Sequence, residues 1–107
     1  MKILPIKTHK IFPRKGNIFD ILDMYLKSFQ ANSILVITSK IISLCEGNIV
    51  KVGTVDKDKL VAEESDHYIR RQDSKYDFML TIKRSSLAAS AGIDESNADG
   101  NYVLWPE

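Results

Sequence analysis

The run Ile34-Leu35-Val36-Ile37-Thr38-Ser39-Lys40-Ile41-Ile42-Ser43-Leu44 constrains this chain more than any other segment. Two apolar, β-branched stretches flank a centre of two hydroxyls and an ammonium, so the flanks favour burial while the centre must reach water or an anion. The run predicts a buried strand over 34–44, interrupted by, or running into, a functional turn or second element. A chain of 107 residues, 44% hydrophobic and 27% charged, can bury a core around such a strand without disulfide or metal staples. Cys45 is the sole cysteine, and with His9 and His67 as the sole histidines neither an internal disulfide nor a usual four-ligand zinc site can be built. No stretch approaches the ~18 consecutive apolar residues of a membrane span, and the N-terminus mixes charge with apolar side chains, unlike a secretory leader. A cytoplasmic protein is the expectation.

Around that run the pattern alternates strands and helices. Lys2–Thr8 reads as a strand, placed at an edge because Pro5 cannot donate to a ladder, and Phe12-Pro13-Arg14-Lys15-Gly16 as a loop. Asn17 is a helix N-cap, followed on one face by Ile18, Ile21, Leu22, Tyr25 and Phe29. Glu46-Gly47-Asn48 signals a turn into a strand at Ile49–Val52. The charged stretch Asp56–Arg71, with Leu60, Val61, Tyr68 and Ile69 as its apolar face, reads as a solvated helix. Asp77–Lys83 alternates into a strand, and Asp99-Gly100-Asn101 is a hairpin-type turn into Tyr102–Trp105. Small residues dominate Ser85–Gly92, which implies close backbone approach to another element or to a ligand. The fold class expected is α+β: one domain with a mixed, mostly antiparallel sheet and two or three helices.

Net charge is only +1, which gives no global field for nucleic acid or membrane as partner. Its distribution is uneven. Residues 1–16 carry Lys2, Lys7, Lys10, Arg14 and Lys15 without an acid, and residues 94–107 carry Asp94, Glu95, Asp99 and Glu107 without a base. These are either two solvated termini or, if the fold joins them, a phosphate-attracting segment beside carboxylates. Thr38-Ser39-Lys40 is either a polar strand end or an anion contact. Asp94, in Ala91-Gly92-Ile93-Asp94-Glu95-Ser96-Asn97, is either an Asx turn or helix cap, or one carboxylate ligand for magnesium. An RNA contact by the basic segment has only Phe12 and Phe19 to stack on. His9 and His67 read as surface imidazoles, Cys45 as a buried inert thiol, and Arg70-Arg71 as a solvated helix end. Tyr102 and Trp105 read as core or interface anchors.

The order of Pro5, the Pro/Gly loop, the amphipathic helix, Thr38-Ser39-Lys40-Ile41-Ile42-Ser43, Glu46-Gly47, Ala91-Gly92-Ile93-Asp94-Glu95-Ser96-Asn97 and Leu104–Glu107 resembles the N-terminal part of the coenzyme F420:L-glutamate ligase family. The similarity covers nearly all of this chain but less than half of that family's ligase domain. The resemblance therefore implies that residues 1–107 are the N-terminal portion of a γ-glutamyl ligase-like domain whose C-terminal half is absent, and that the isolated chain does not turn over. It implies GTP-dependent addition of L-glutamate to a carboxylated cofactor, of coenzyme F420 or folate type, through an acyl phosphate, with magnesium or manganese. By position, Asp94 matches a metal ligand and Asn97 a guanine-nucleotide contact. Ser39 and Lys40 match a pair at the nucleotide site, and His9, Lys10, Ile11 and Phe12 occupy the loop that lines it. The partners implied are the small molecules GTP, glutamate and the acceptor, together with an intertwined homodimer, with no nucleic acid or membrane. Two positions depart from the family pattern: Leu44 stands where a second lysine is usual, and Ser90 where an asparagine is. They motivate the alternative of a non-catalytic nucleotide-binding or subunit-interaction module of the same fold.

Overall fold

Asn17 opens the first helix as its side chain requires, its Oδ1 accepting from the Phe19 amide at 2.9 Å in a computed structural model that describes residues 1–96 and 98–107. Helix α1 spans Ile18–Tyr25 and buries Ile21. It stops short of Phe29, because Leu26 already leaves helical geometry and Phe29 stands exposed.

The expected strand over 34–44 is a correction. Helix α2 runs Ser39–Glu46, whereas Ile34 to Thr38 lie outside any strand, with Ile34 and Val36 exposed. Gly47 explains the difference. At φ +72° it adopts the left-handed conformation that closes a helix, and its own amide and that of Asn48 donate to Leu44 and Ser43 carbonyls. Ile41, Leu44 and Cys45 then fall at helical spacing, and the buried Ser43 hydroxyl donates to the Leu104 carbonyl at 2.7 Å. The strand expected at Lys2–Thr8 is likewise absent. Residues 1–10 form no regular element, and Ile3 and Leu4 are exposed.

Strand β1 (Ile49–Lys51) pairs antiparallel with a C-terminal strand, β5 (Asn101–Val103), placing Val50 opposite Tyr102. Between them in sequence, helix α3 spans Lys57–Glu63, with the Asp56 carboxylate accepting from the Lys59 amide. The helix expected to reach Arg71 ends there. Asp66 diverts the chain: its amide donates to the Ile82 carbonyl and its carboxylate accepts from the Arg84 amide. His67–Ile69 therefore becomes strand β2 rather than a helical face, followed by a 3₁₀ turn at Arg71–Asp73. Strands β3 (Leu80–Lys83) and β4 (Ser86–Ala89) complete an antiparallel sheet in the order β2-β3-β4.

The protein is thus a small mixed α+β fold with antiparallel sheets of two and three strands among the described residues. Helix α3 sits where both need it. Leu60 packs with Tyr102 and Leu104 beside the two-stranded sheet, while its neighbour Val61 packs with Met79 and Ala91 beside the three-stranded one. Ile93 touches both clusters. The molecule is nonetheless extended: its radius of gyration is 16.2 Å, against about 13 Å for a compact chain of this length. Its accessible surface is 8013 Å², where a folded monomer of this size exposes about 6,000 Å².

Candidate functional site

The segment carrying Asp94 is set by a left-handed turn. Ser90, Ala91 and Gly92 follow β4 at φ +48°, +55° and +70°, a conformation that costs non-glycine residues about 1–2 kcal/mol each. The Thr81 hydroxyl on β3 holds the turn, accepting from the Ala91 amide at 2.9 Å and donating to the Ala88 carbonyl at 2.7 Å. A Cβ on Gly92 would lie 3.4 Å from the Trp105 ring. The small residues of this stretch therefore do mark a close approach, to helix α3 and Trp105. Beyond the turn, Asp94 and Val103 exchange two backbone hydrogen bonds, of 2.9 and 2.7 Å, which fix Asp94 beside β5.

From there the Asp94 carboxylate meets α2. Its Oδ2 is 2.5 Å from the Lys40 ammonium, which also donates to the Ser96 carbonyl. Its Oδ1 accepts from the Ser96 amide and hydroxyl, both at 2.8 Å, so the Asx-turn reading holds together with the ion pair. Burial pushes this carboxyl up, but the hydrogen bonds from Lys40 and Ser96 and the charge of Lys40 outweigh it and hold Asp94 below the ordinary carboxylate range.

A second wall comes from the N-terminal loop. The Arg14 amide donates to the Leu44 carbonyl at 3.0 Å, tying the loop to α2. Tyr25 on α1 accepts from the His9 amide at 2.8 Å, and Lys10 pairs with Asp99 at 2.9 Å. Between this loop and α2 lies an open cleft of about 200 Å³, lined among others by His9, Lys10, Ile11, Lys40 and Leu44. It is smaller than the ~300–1,000 Å³ that encloses a whole small ligand. Its size suits the charged end of a larger one.

The structure thus brings His9, Lys10, Ile11 and Lys40 together, with Asp94 joined to them through Lys40. Phe12 is exposed outside the cleft, its ring 5.2 Å from the Lys10 ammonium and 5.9 Å from that of Lys15. Ser39 is exposed at the start of α2 and does not line the cleft. Asn97 lies outside the described residues. Both cleft lysines are already paired with carboxylates, so an anion entering the cleft competes with Asp94 and Asp99 for them. Among the described residues no three His, Cys, Asp or Glu side chains converge, and both Asp94 oxygens are engaged. These residues alone do not fit a resident divalent cation.

No protein-family model, curated protein or solved structure matches this chain. Among the described residues no helix is long and apolar enough to cross a membrane. Tyr25 belongs to the site without being a sequence candidate, and Asp99 enters the sequence reading only as one of the acidic residues near the end. Asp99 reads locally as a turn residue and Tyr25 as one position of a helical face. The signal that could have found Asp99 is the contrast of a basic start with an acidic end, which Lys10–Asp99 joins directly. Cys45 is half-buried, and burial followed by the Glu46 charge pushes its thiol up, away from the reactive thiolate.

Proposed function

We propose that this chain is the N-terminal, nucleotide-facing portion of a cytoplasmic GTP-dependent γ-glutamyl ligase. The observation that carries the reading is the convergence of the His9–Ile11 loop and Lys40 on one cleft, with Asp94 bound to Lys40. Residues separated widely in sequence, and matched by resemblance to one nucleotide site, meet at one place. The surplus of exposed surface, including Ile3, Leu4, Ile34 and Val36, supports further polypeptide covering this portion in the working enzyme.

In this reading GTP enters as its magnesium or manganese complex. Lys40 and Lys10 exchange their carboxylate partners for phosphate oxygens, and Asp94 orients Lys40 until that exchange. A carboxylate oxygen of the acceptor attacks the γ-phosphorus, the bond to the GDP oxygen breaks, and an acyl phosphate forms. The glutamate amine then attacks the acyl carbon, releasing inorganic phosphate and a proton as the amide forms. Lysines in the cleft lower the charge on the leaving phosphates, and their effect is electrostatic positioning rather than covalent chemistry.

Leu44 favours a second reading. It lines the cleft, so one wall is apolar where a further cation would grip phosphate, as in a nucleotide-sensing or subunit-interaction module without turnover. Titration of fluorescent mant-GTP with manganese tests both against no binding. Saturable binding that weakens at least tenfold in Lys40→Ala, with an unchanged circular dichroism spectrum, is expected. No saturable binding by the wild-type chain at millimolar nucleotide overturns the nucleotide reading. Glutamate addition by the full-length gene product separates ligase from module.

A further inference from the structure

His9 is held by one oxygen at two points. The Tyr25 hydroxyl oxygen accepts from the His9 backbone amide at 2.8 Å and lies 2.7 Å from its ring Nδ1. The two rings also stack, with centroids 5.6 Å apart and planes inclined by 30°. A phenol has one proton to donate, and Nδ1 is the one acceptor within reach of the Tyr25 proton among the described residues. In the neutral imidazole, donation by Tyr25 makes Nδ1 the acceptor and leaves the ring proton on Nε2. Nε2 has no partner among the described residues, and His9 lines the cleft that Lys10 and Lys40 also line.

We propose that Tyr25 is a positioning residue for the cleft: it fixes His9 in the Nε2–H tautomer and aims that neutral donor at an oxygen of the bound nucleotide's phosphates. The proposal rests on the nucleotide reading for its ligand, and on geometry alone for its tautomer. The physical gain is preorganisation. Tyr25 removes ring rotation and tautomer exchange before the ligand arrives. It also pins the Thr8–Pro13 loop to α1, where the preceding residues make no regular structure.

The experiment has two arms. Long-range ¹H–¹⁵N correlation spectra of the ¹⁵N-labelled chain at pH 8, without nucleotide, report the tautomer of each histidine. His9 is expected as Nε2–H in the wild type and as an exchanging mixture in Tyr25→Phe, with His67 unchanged as the internal control. A wild-type Nδ1–H tautomer, or an unaltered one in Tyr25→Phe, overturns the proposal. In the second arm, Tyr25→Phe raises the mant-GTP Kd about five- to tenfold. His9→Gln keeps a donor near the Nε2 position without needing Tyr25, so adding Tyr25→Phe to it changes Kd less than twofold. An equal loss in both backgrounds means that Tyr25 acts only by holding the loop, and refutes the positioning role. If the wild-type chain binds no mant-GTP, the nucleotide reading falls while the tautomer arm still decides whether Tyr25 sets His9.

Discussion

Replacing Thr81 by valine keeps the shape of a side chain that is 1% exposed and removes only its hydroxyl. That hydroxyl both receives the Ala91 amide and donates to the Ala88 carbonyl. Ala91 is fully buried, so its amide loses its sole partner without gaining water. An orphaned buried donor costs about 1–3 kcal/mol and the second lost bond about 1 kcal/mol more. A total of about 2–4 kcal/mol corresponds to a fall in Tm of about 10–18 °C for a domain of this size. Thr81→Ser is the control. It retains the hydroxyl and loses one methyl, at about 1 kcal/mol. Thermal and urea unfolding followed by far-UV circular dichroism measure both. If Thr81→Val is no less stable than Thr81→Ser, the hydroxyl is not what holds the left-handed turn, and the account of how Asp94 is placed is wrong.

Asp99→Asn frees Lys10 and is expected to tighten mant-GTP binding about two- to threefold at low ionic strength, an effect lost at 0.5 M salt; weaker binding contradicts competition between Asp99 and the anion. Lys83 is a largely buried ammonium 2.5 Å from Glu64, so Glu64→Ala, which strands it, is expected to cost about 3 kcal/mol in urea unfolding, and the double variant Lys83→Met/Glu64→Gln markedly less. Arg71 donates two hydrogen bonds to Asp58 and holds its carboxyl below the ordinary range, as Lys40 and Ser96 do for Asp94 against the opposing effect of burial. Folded pKa values below the unfolded ones add stability above the ordinary carboxylate range, lost as pH falls through the lowered values. Unfolding free energies between pH 7 and pH 3 should therefore decline more gently in Asp58→Asn. Cys45 is expected to react with Ellman's reagent at pH 7.4 more slowly than free cysteine and to match it only in urea.

What could be read from the sequence was what neighbouring residues decide. The Asn17 cap, the turn at Gly47 and the strands ending at Lys83 and beginning near Tyr102 depend on local chemistry, and they stand as read. The errors came where a distant contact reversed a local preference. Ile41 and Ile42 favour strand by their branching, yet a glycine stop and a buried Ser43 bond to Leu104 make the segment helical. Tyr68 and Ile69 fit a helical face until Asp66 ties the chain to Ile82 and Arg84. Lys2–Thr8 has strand composition, but no described strand lies alongside to pair with it. Of the cleft, the pairing of Lys10 with Asp99 follows from the contrast of a basic start with an acidic end. His9 is assigned to the site through the resemblance alone, Lys40 through the resemblance and one of two readings of its polar run, and Tyr25 is illegible because its contact depends on a loop sixteen residues away.

The two ion pairs at the cleft carry a consequence for how the molecule is made. Lys10 reaches Asp99 across 89 residues, and Lys40 reaches Asp94 together with the Ser96 carbonyl, the latter across 56. Closing loops of that length offers little reward until α2, α3 and both sheets already stand together. The cleft is therefore expected to close late in folding, after the elements that carry its two walls have come together. Substitutions at Lys10 or Asp99 should leave the refolding rate almost untouched and act on the rate of unfolding instead, as contacts formed after the transition state do.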